Sequence, residues 1–142
     1  MATWQYNDGG RKDAGYVGDA SDCVVRSIAI ATEQPYQRVY DDLNALIKAA
    51  RQTKTARDST SRGGVNRRFY QAYLEGLGWR WHAVSQIGSG CKMHLKAEEL
   101  PTGRIIARVS KHMVAVIDGV INDTFDPSRD GTRCVYGYFM KE

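Results

Sequence analysis

One change of hydrophobic period, near Gly78, limits what this chain can fold into more than any other feature of its sequence. Before it, apolar residues recur at helical spacing; after it, they alternate or run together in short segments rich in Ile and Val. Residues 23–32 carry apolar side chains on nearly every face, interrupted mainly by Arg26 and Ser27, and a helix apolar all round is a buried one. Ser21 or Asp22 can cap its start. Pro35 suits the first turn of a second helix running to about Ala50, with Val39, Leu43, Leu46 and Ile47 at core spacing. A third helix is expected over about residues 65–77, stopping at Gly78.

Beyond Gly78, residues 79–84 read as a strand, 96–100 as one helical turn ended by Pro101, and 104–110 and 112–118 as strands. Asp118-Gly119 is a strong hairpin signal between Ile117 and Val120, so residues 120–125 return beside the strand before them. Residues 132–140 read as a last strand. Helices first and then antiparallel strands define an α+β domain. Residues 7–21 and 51–64 are polar and glycine-bearing and read as loops, the second long enough to be functional and expected to be a mobile surface loop near a cleft. Trp79 and Trp81 on a strand, and Phe69, Tyr73 and Leu77 on a helix, are read as core.

With 142 residues, the chain reads as a single domain, 1–142, able to bury a core without disulfides or structural metal. Hydrophobic residues at 42% and charged residues at 25% argue against disorder. The start lacks a basic segment and an apolar run, so no secretory signal is expected, and no apolar stretch approaches the length that spans a bilayer. No membrane contact is therefore expected. Three cysteines, Cys23, Cys91 and Cys134, leave at least one unpaired, which points to a reducing, cytoplasmic setting.

The formal charge of +4 is mild, and its local excess lies in Arg51, Lys54, Arg57, Arg62, Arg67 and Arg68, opposed only by Asp58. A solvated helix end and loop is the plain reading. A patch for phosphate or an acidic partner is the alternative, since no aromatics interleave there to stack on bases. Cys91 and His94 have half of a zinc-like spacing, with Cys134, His82 or His112 as conceivable completions, but no second close pair supports it. No metal and no cofactor are expected.

Cys23 is the more telling residue. In the first turn of a buried helix, backbone N–H groups and the helix dipole favour an anion, which lowers the thiol pKa. A histidine beside it completes a thiolate–imidazolium pair, and a third group fixes the ring. His112, at the first position of a strand leading to the hairpin, is the candidate. Each residue also has a structural reading: a buried inert cysteine, a strand-end histidine, and strand-end polar groups at Asp123-Thr124.

Asp22-Cys23-Val-Val-Arg-Ser-Ile-Ala-Ile-Ala, then His112-Met-Val-Ala-Val-Ile-Asp-Gly, then Asn122-Asp123-Thr-Phe-Asp126-Pro, resembles the papain-like cysteine peptidase superfamily, in its compact bacterial and phage members. The resemblance runs over residues 15–127 in order and element type. It implies a central Cys-bearing helix packed on a C-terminal antiparallel sheet, with a Cys-His-Asp triad. It also implies a peptidase or isopeptidase-like hydrolase acting on a peptide or protein, or an acyl transferase of the same chemistry. Many papain-like enzymes carry a Gln upstream of the cysteine to complete the oxyanion hole. Here that position is Val17, with the Cys23 N–H and Ser21 or Asn7 as remaining donors. The missing Gln favours the alternative reading: a weak or inactive papain-like fold that binds a host protein or nucleic acid.

Strand parity selects the acid. If Asp118-Gly119 is a two-residue turn, Ile117 faces Val120 and His112 falls opposite Phe125. Residues 121, 123 and 125 then share the face of His112, so Asp123 is its diagonal neighbour. Asp126 is the other candidate and needs a bulge or wider turn.

Overall fold

A computed structural model describes residues 3–16, 22–50, 60–62, 64–85 and 90–141. In chain order the elements are β1 (Thr3–Tyr6), α1 (Cys23–Thr32), α2 (Tyr36–Ala49), α3 (Arg67–Gly76), β2 (Trp79–Ala83), β3 (Arg104–Val109), β4 (His112–Ile117), β5 (Val120–Asp123) and β6 (Gly137–Lys141). The fold is α+β, and the six strands among the described residues form one sheet in the order β1-β5-β4-β3-β6-β2.

The sheet is mixed rather than antiparallel. β1 runs parallel to β5, from Thr3 opposite Val120 to Tyr6 opposite Asp123. All four β1 residues are exposed, so the strand has no buried face to mark it in the sequence. Its anchors are backbone pairing and the Trp4 indole N–H, which donates to the Asp123 carbonyl at 3.2 Å. The hairpin is as expected: Ile117 pairs with Val120, and Asp118 (φ 49°) and Gly119 (φ 80°) both take the left-handed geometry of a tight turn.

Both sheet faces are covered, which explains why β3 and β4 read as apolar runs. Val25, Ile28 and Ala29 of α1 belong to one cluster with Ile106, Met113, Ala115 and Phe139. Ile105, Val109, Val114 and Ile121 cluster instead with Leu95, Leu100 and Val135, from segments outside the sheet. Only the end of the expected 132–140 strand enters the sheet. The part before it holds residues 93–95 through Leu95 N–H to the Arg133 carbonyl and Val135 N–H to the Met93 carbonyl, both 2.8 Å.

Cys91 and Cys134 staple these two segments as a disulfide, with Cα atoms 5.6 Å apart, leaving Cys23 as the free cysteine. The sulfurs of the zinc-like spacing are thus bonded to each other, and His94 contacts Glu99. Among the described residues, no group of three or more His, Cys, Asp or Glu side chains could hold a metal ion, and no helix is long and apolar enough to cross a membrane.

The 51–64 segment lies mostly outside the described residues. Its end is not a bare loop: Thr60 and Gly64 bridge each other. Ser61 is buried, with its N–H on Asn44 Oδ1 and its hydroxyl donating to the Tyr40 carbonyl. Trp79 and Phe69 are buried as core, whereas Trp81 is half-buried on a cavity wall.

Candidate active site

Cys23 is the first residue of α1, and Asp22 is the N-cap. The Asp22 side chain, however, makes no cap bond. Its carboxylate turns to Arg26 (Nη1 at 2.6 Å), Arg11 (Nε at 3.3 Å) and the Tyr36 hydroxyl. The cap expected of it is lost because two cations and a hydroxyl compete for a carboxylate that is 1% exposed.

His112 opens β4, and the strand-start histidine and the helix-start cysteine line one cavity, where each shifts the other's titration. His112 Nε2 lies 2.6 Å from Asp123 Oδ2, so Nδ1 is the ring nitrogen not taken by Asp123. Asp123 Oδ1 accepts the Thr124 N–H at 2.7 Å and faces Arg26 Nη2 at 3.4 Å. Phe125 lies against the imidazole, with centroids 5.2 Å apart. Asp126, the other sequence candidate, instead accepts the Ser128 N–H at 3.0 Å. The structure thus sets His112, held by Asp123, on the wall of the cavity that Cys23 also lines.

Electrostatics follow this geometry. Burial pushes the Cys23 thiol up, but the His112 hydrogen bond and charge, the Met113 N–H and the Arg26 charge together hold it below its ordinary value. Burial likewise opposes the charge on His112. The hydrogen bonds and negative charges of Asp123 and Cys23 outweigh it and raise the imidazole to about 9. Both shifts favour thiolate and imidazolium side by side. That pair can attack an electrophilic carbon and then deliver a proton to the leaving group.

The sulfur opens on a cavity of about 310 Å³ whose walls include Gly64, Val65, Tyr70 and Arg108. Of the oxyanion donors expected from sequence, the Cys23 N–H lies at the start of α1. Asn7 is committed elsewhere, its amide donating to Asn122 Oδ1 and its oxygen accepting from Gly9 N–H. Val17 and Ser21 lie outside the described residues, as do Arg51, Lys54 and Arg57 of the basic stretch. Arg62 and Arg68 are exposed, and Arg67 is half-buried over the Trp81 ring at 4.5 Å.

Sequence reasoning passed over Arg26, which ties Asp22 to Asp123. A signal existed: one cation inside an apolar helix, four residues after an acid, demands a buried partner. Trp4 and Thr124, which bind Asp123 through backbone atoms, carry no such signal. Comparisons with protein-family models, curated proteins and solved structures find no match to this chain, so the site stands on its own geometry.

Proposed function

We propose that the chain is a papain-like, cysteine-dependent hydrolase of the peptidase or isopeptidase type, acting on a peptide or protein in a reducing, cytosolic setting without a cofactor. The observation that carries the reading is His112 held by Asp123 and lining one cavity with Cys23, with the thiol lowered and the imidazole raised. The Cys23 thiolate attacks the substrate carbonyl carbon, and the first-turn N–H groups of α1 receive the developing oxyanion. His112 gives its proton to the departing amine as the C–N bond breaks, leaving an acyl-enzyme. Neutral His112 then takes a proton from water, whose oxygen displaces Cys23 and releases the acid. Asp123 fixes the ring and stabilises its cationic form throughout.

A binding module without turnover is the second reading, favoured by the engagement of Asn7 elsewhere. One experiment separates the two. At neutral pH, iodoacetamide should label Cys23 faster than it labels glutathione, and Cys23→Ala should abolish peptide hydrolysis in a protein that still melts cooperatively. Labelling no faster than glutathione, or full hydrolysis by Cys23→Ala, overturns the hydrolase reading.

A further inference from the structure

A second cavity, of about 400 Å³, lies beside the one that holds the Cys23 sulfur. The two share a wall made by Arg108 and Lys111. Arg108 sits on β3 opposite Met113 of β4, and Lys111 occupies the β3–β4 turn immediately before His112. Arg67 and Trp81 line the second cavity as well. The Arg67 guanidinium stacks on the indole at 4.5 Å, while its Nε donates to Gln71 Oε1 at 2.9 Å. Three cations therefore converge on one concave surface, and neither cavity has an Asp or Glu in its described lining. Among the described residues, no carboxylate comes within ion-pair distance of Arg67, Arg108 or Lys111. The molecule's other arginines often do find such partners: Arg11, Arg26, Arg38 and Arg104 all face acids.

Positive groups held together in a concavity repel one another, and a bound anion relieves that repulsion. Ser85 and Tyr136 also line this cavity, and Trp81 gives it an apolar wall. Such a wall suits the methylene groups of a side chain whose charged end meets the guanidinium groups. A planar carboxylate matches a guanidinium fork, which Arg67 and Arg108 both offer.

We infer that this cavity is a subsite for a carboxylate of the peptide substrate, set beside the bond that Cys23 attacks. The inference rests on the proposed hydrolase reading and deepens it by naming the substrate class: acidic peptides. The carboxylate has two possible sources, an Asp or Glu side chain next to the scissile amide, or the free carboxyl terminus of the peptide.

The test uses fluorogenic peptides matched except at the positions flanking the scissile bond. They carry Glu, Gln or Lys there, each with either a free or an amidated carboxyl terminus. Glu peptides should exceed Gln peptides in kcat/KM by about tenfold to a hundredfold, the worth of charge-assisted hydrogen bonds, and Lys peptides should be poorest. If free-terminus peptides alone are favoured, the carboxylate is the terminal one. Lys111→Glu, at an exposed turn position, should invert the Glu-to-Lys ratio, and Arg108→Gln should shrink it. Equal kcat/KM for Glu, Gln and Lys peptides with both kinds of terminus overturns the subsite, as does a Glu-to-Lys ratio untouched in Lys111→Glu. Should wild-type protein cleave none of them, calorimetric binding of the same peptides to Cys23→Ala reads the preference without turnover. Tighter binding of the carboxylate-bearing peptides then supports the subsite although the hydrolase reading has failed, and equal binding overturns it.

Discussion

Asp123 holds His112 through one carboxylate oxygen and is itself held through the other by Thr124 N–H and Arg26. Arg26 lies 97 residues from Asp123 and Thr124 is adjacent to it, whereas His112 lies 11 residues away along the hairpin, and only hairpin parity made that contact legible beforehand. Arg26 was not legible as a holder of Asp123, since nothing local ties residues 26 and 123. The pH dependence of the proposed reaction follows from these partners. Cys23 must be a thiolate, so activity falls as pH drops through its lowered pKa. His112 must be protonated, so activity falls as pH rises through about 9, each limb belonging to the coupled pair. The same raised imidazole stabilises the fold. Its contribution is fully present below the ordinary histidine range and is lost as pH climbs through about 9. Asp123→Asn removes a negative charge and a carboxylate acceptor from the ring. The alkaline limb should then move down by about one pH unit or more, and iodoacetamide labelling of Cys23 at neutral pH should slow. Unchanged limbs in Asp123→Asn would leave His112 without its supposed partner.

At the scale of elements, the three helices among the described residues and the hairpin were legible because each combines periodicity with a stop signal: Pro35, Gly78, Asp118-Gly119. β1 was not, because a four-residue exposed strand buries nothing and leaves no alternation. The last strand was overlong because Val135 is fully buried yet packs on the outer face through a crossing segment rather than through the sheet. Gly137 marks where that segment turns into β6. A Cβ there would lie 2.5 Å from the Trp81 ring and 2.6 Å from the His82 carbonyl. This close approach lets β6 pair with β2 while Trp81 stays stacked under Arg67. Gly137→Ala should therefore destabilise the protein by about 2 kcal/mol, the usual scale of overpacking, read as a lower denaturation midpoint. Because Trp81 must shift to make room, the discrimination between Glu and Lys peptides should weaken in the same variant. Wild-type stability in Gly137→Ala would mean that β2 and β6 sit further apart than described.

For the molecule as a whole, the sheet divides two tasks. One face carries the helices, with Cys23 at the leading end of α1; the other is closed by segments that the Cys91–Cys134 bond joins. Neither of these cysteines lines either cavity near Cys23. The bond spans 43 residues, and closing a loop of that length in the unfolded chain is worth about 4 kcal/mol in the chain-entropy picture. Unfolding entropy of roughly 2 cal/mol/K per residue converts that into a fall in Tm of roughly 10 °C when the bond is reduced. Cys134→Ser should reproduce the fall, and Cys23 labelling at room temperature should be the same with and without the bond, since its environment lies elsewhere. A labelling rate that drops on reduction would couple the covered face to the site. The same bond reads the compartment. In the cytosolic setting proposed above, thiols are kept reduced, so protein recovered from cells with its thiols trapped by alkylation should carry the label on Cys91 and Cys134 as well as Cys23. An intact Cys91–Cys134 bond in the trapped protein, seen as a crosslinked peptide pair by mass spectrometry, would overturn the cytosolic proposal. The chemistry proposed for Cys23 would remain, because the free thiol needs no partner cysteine.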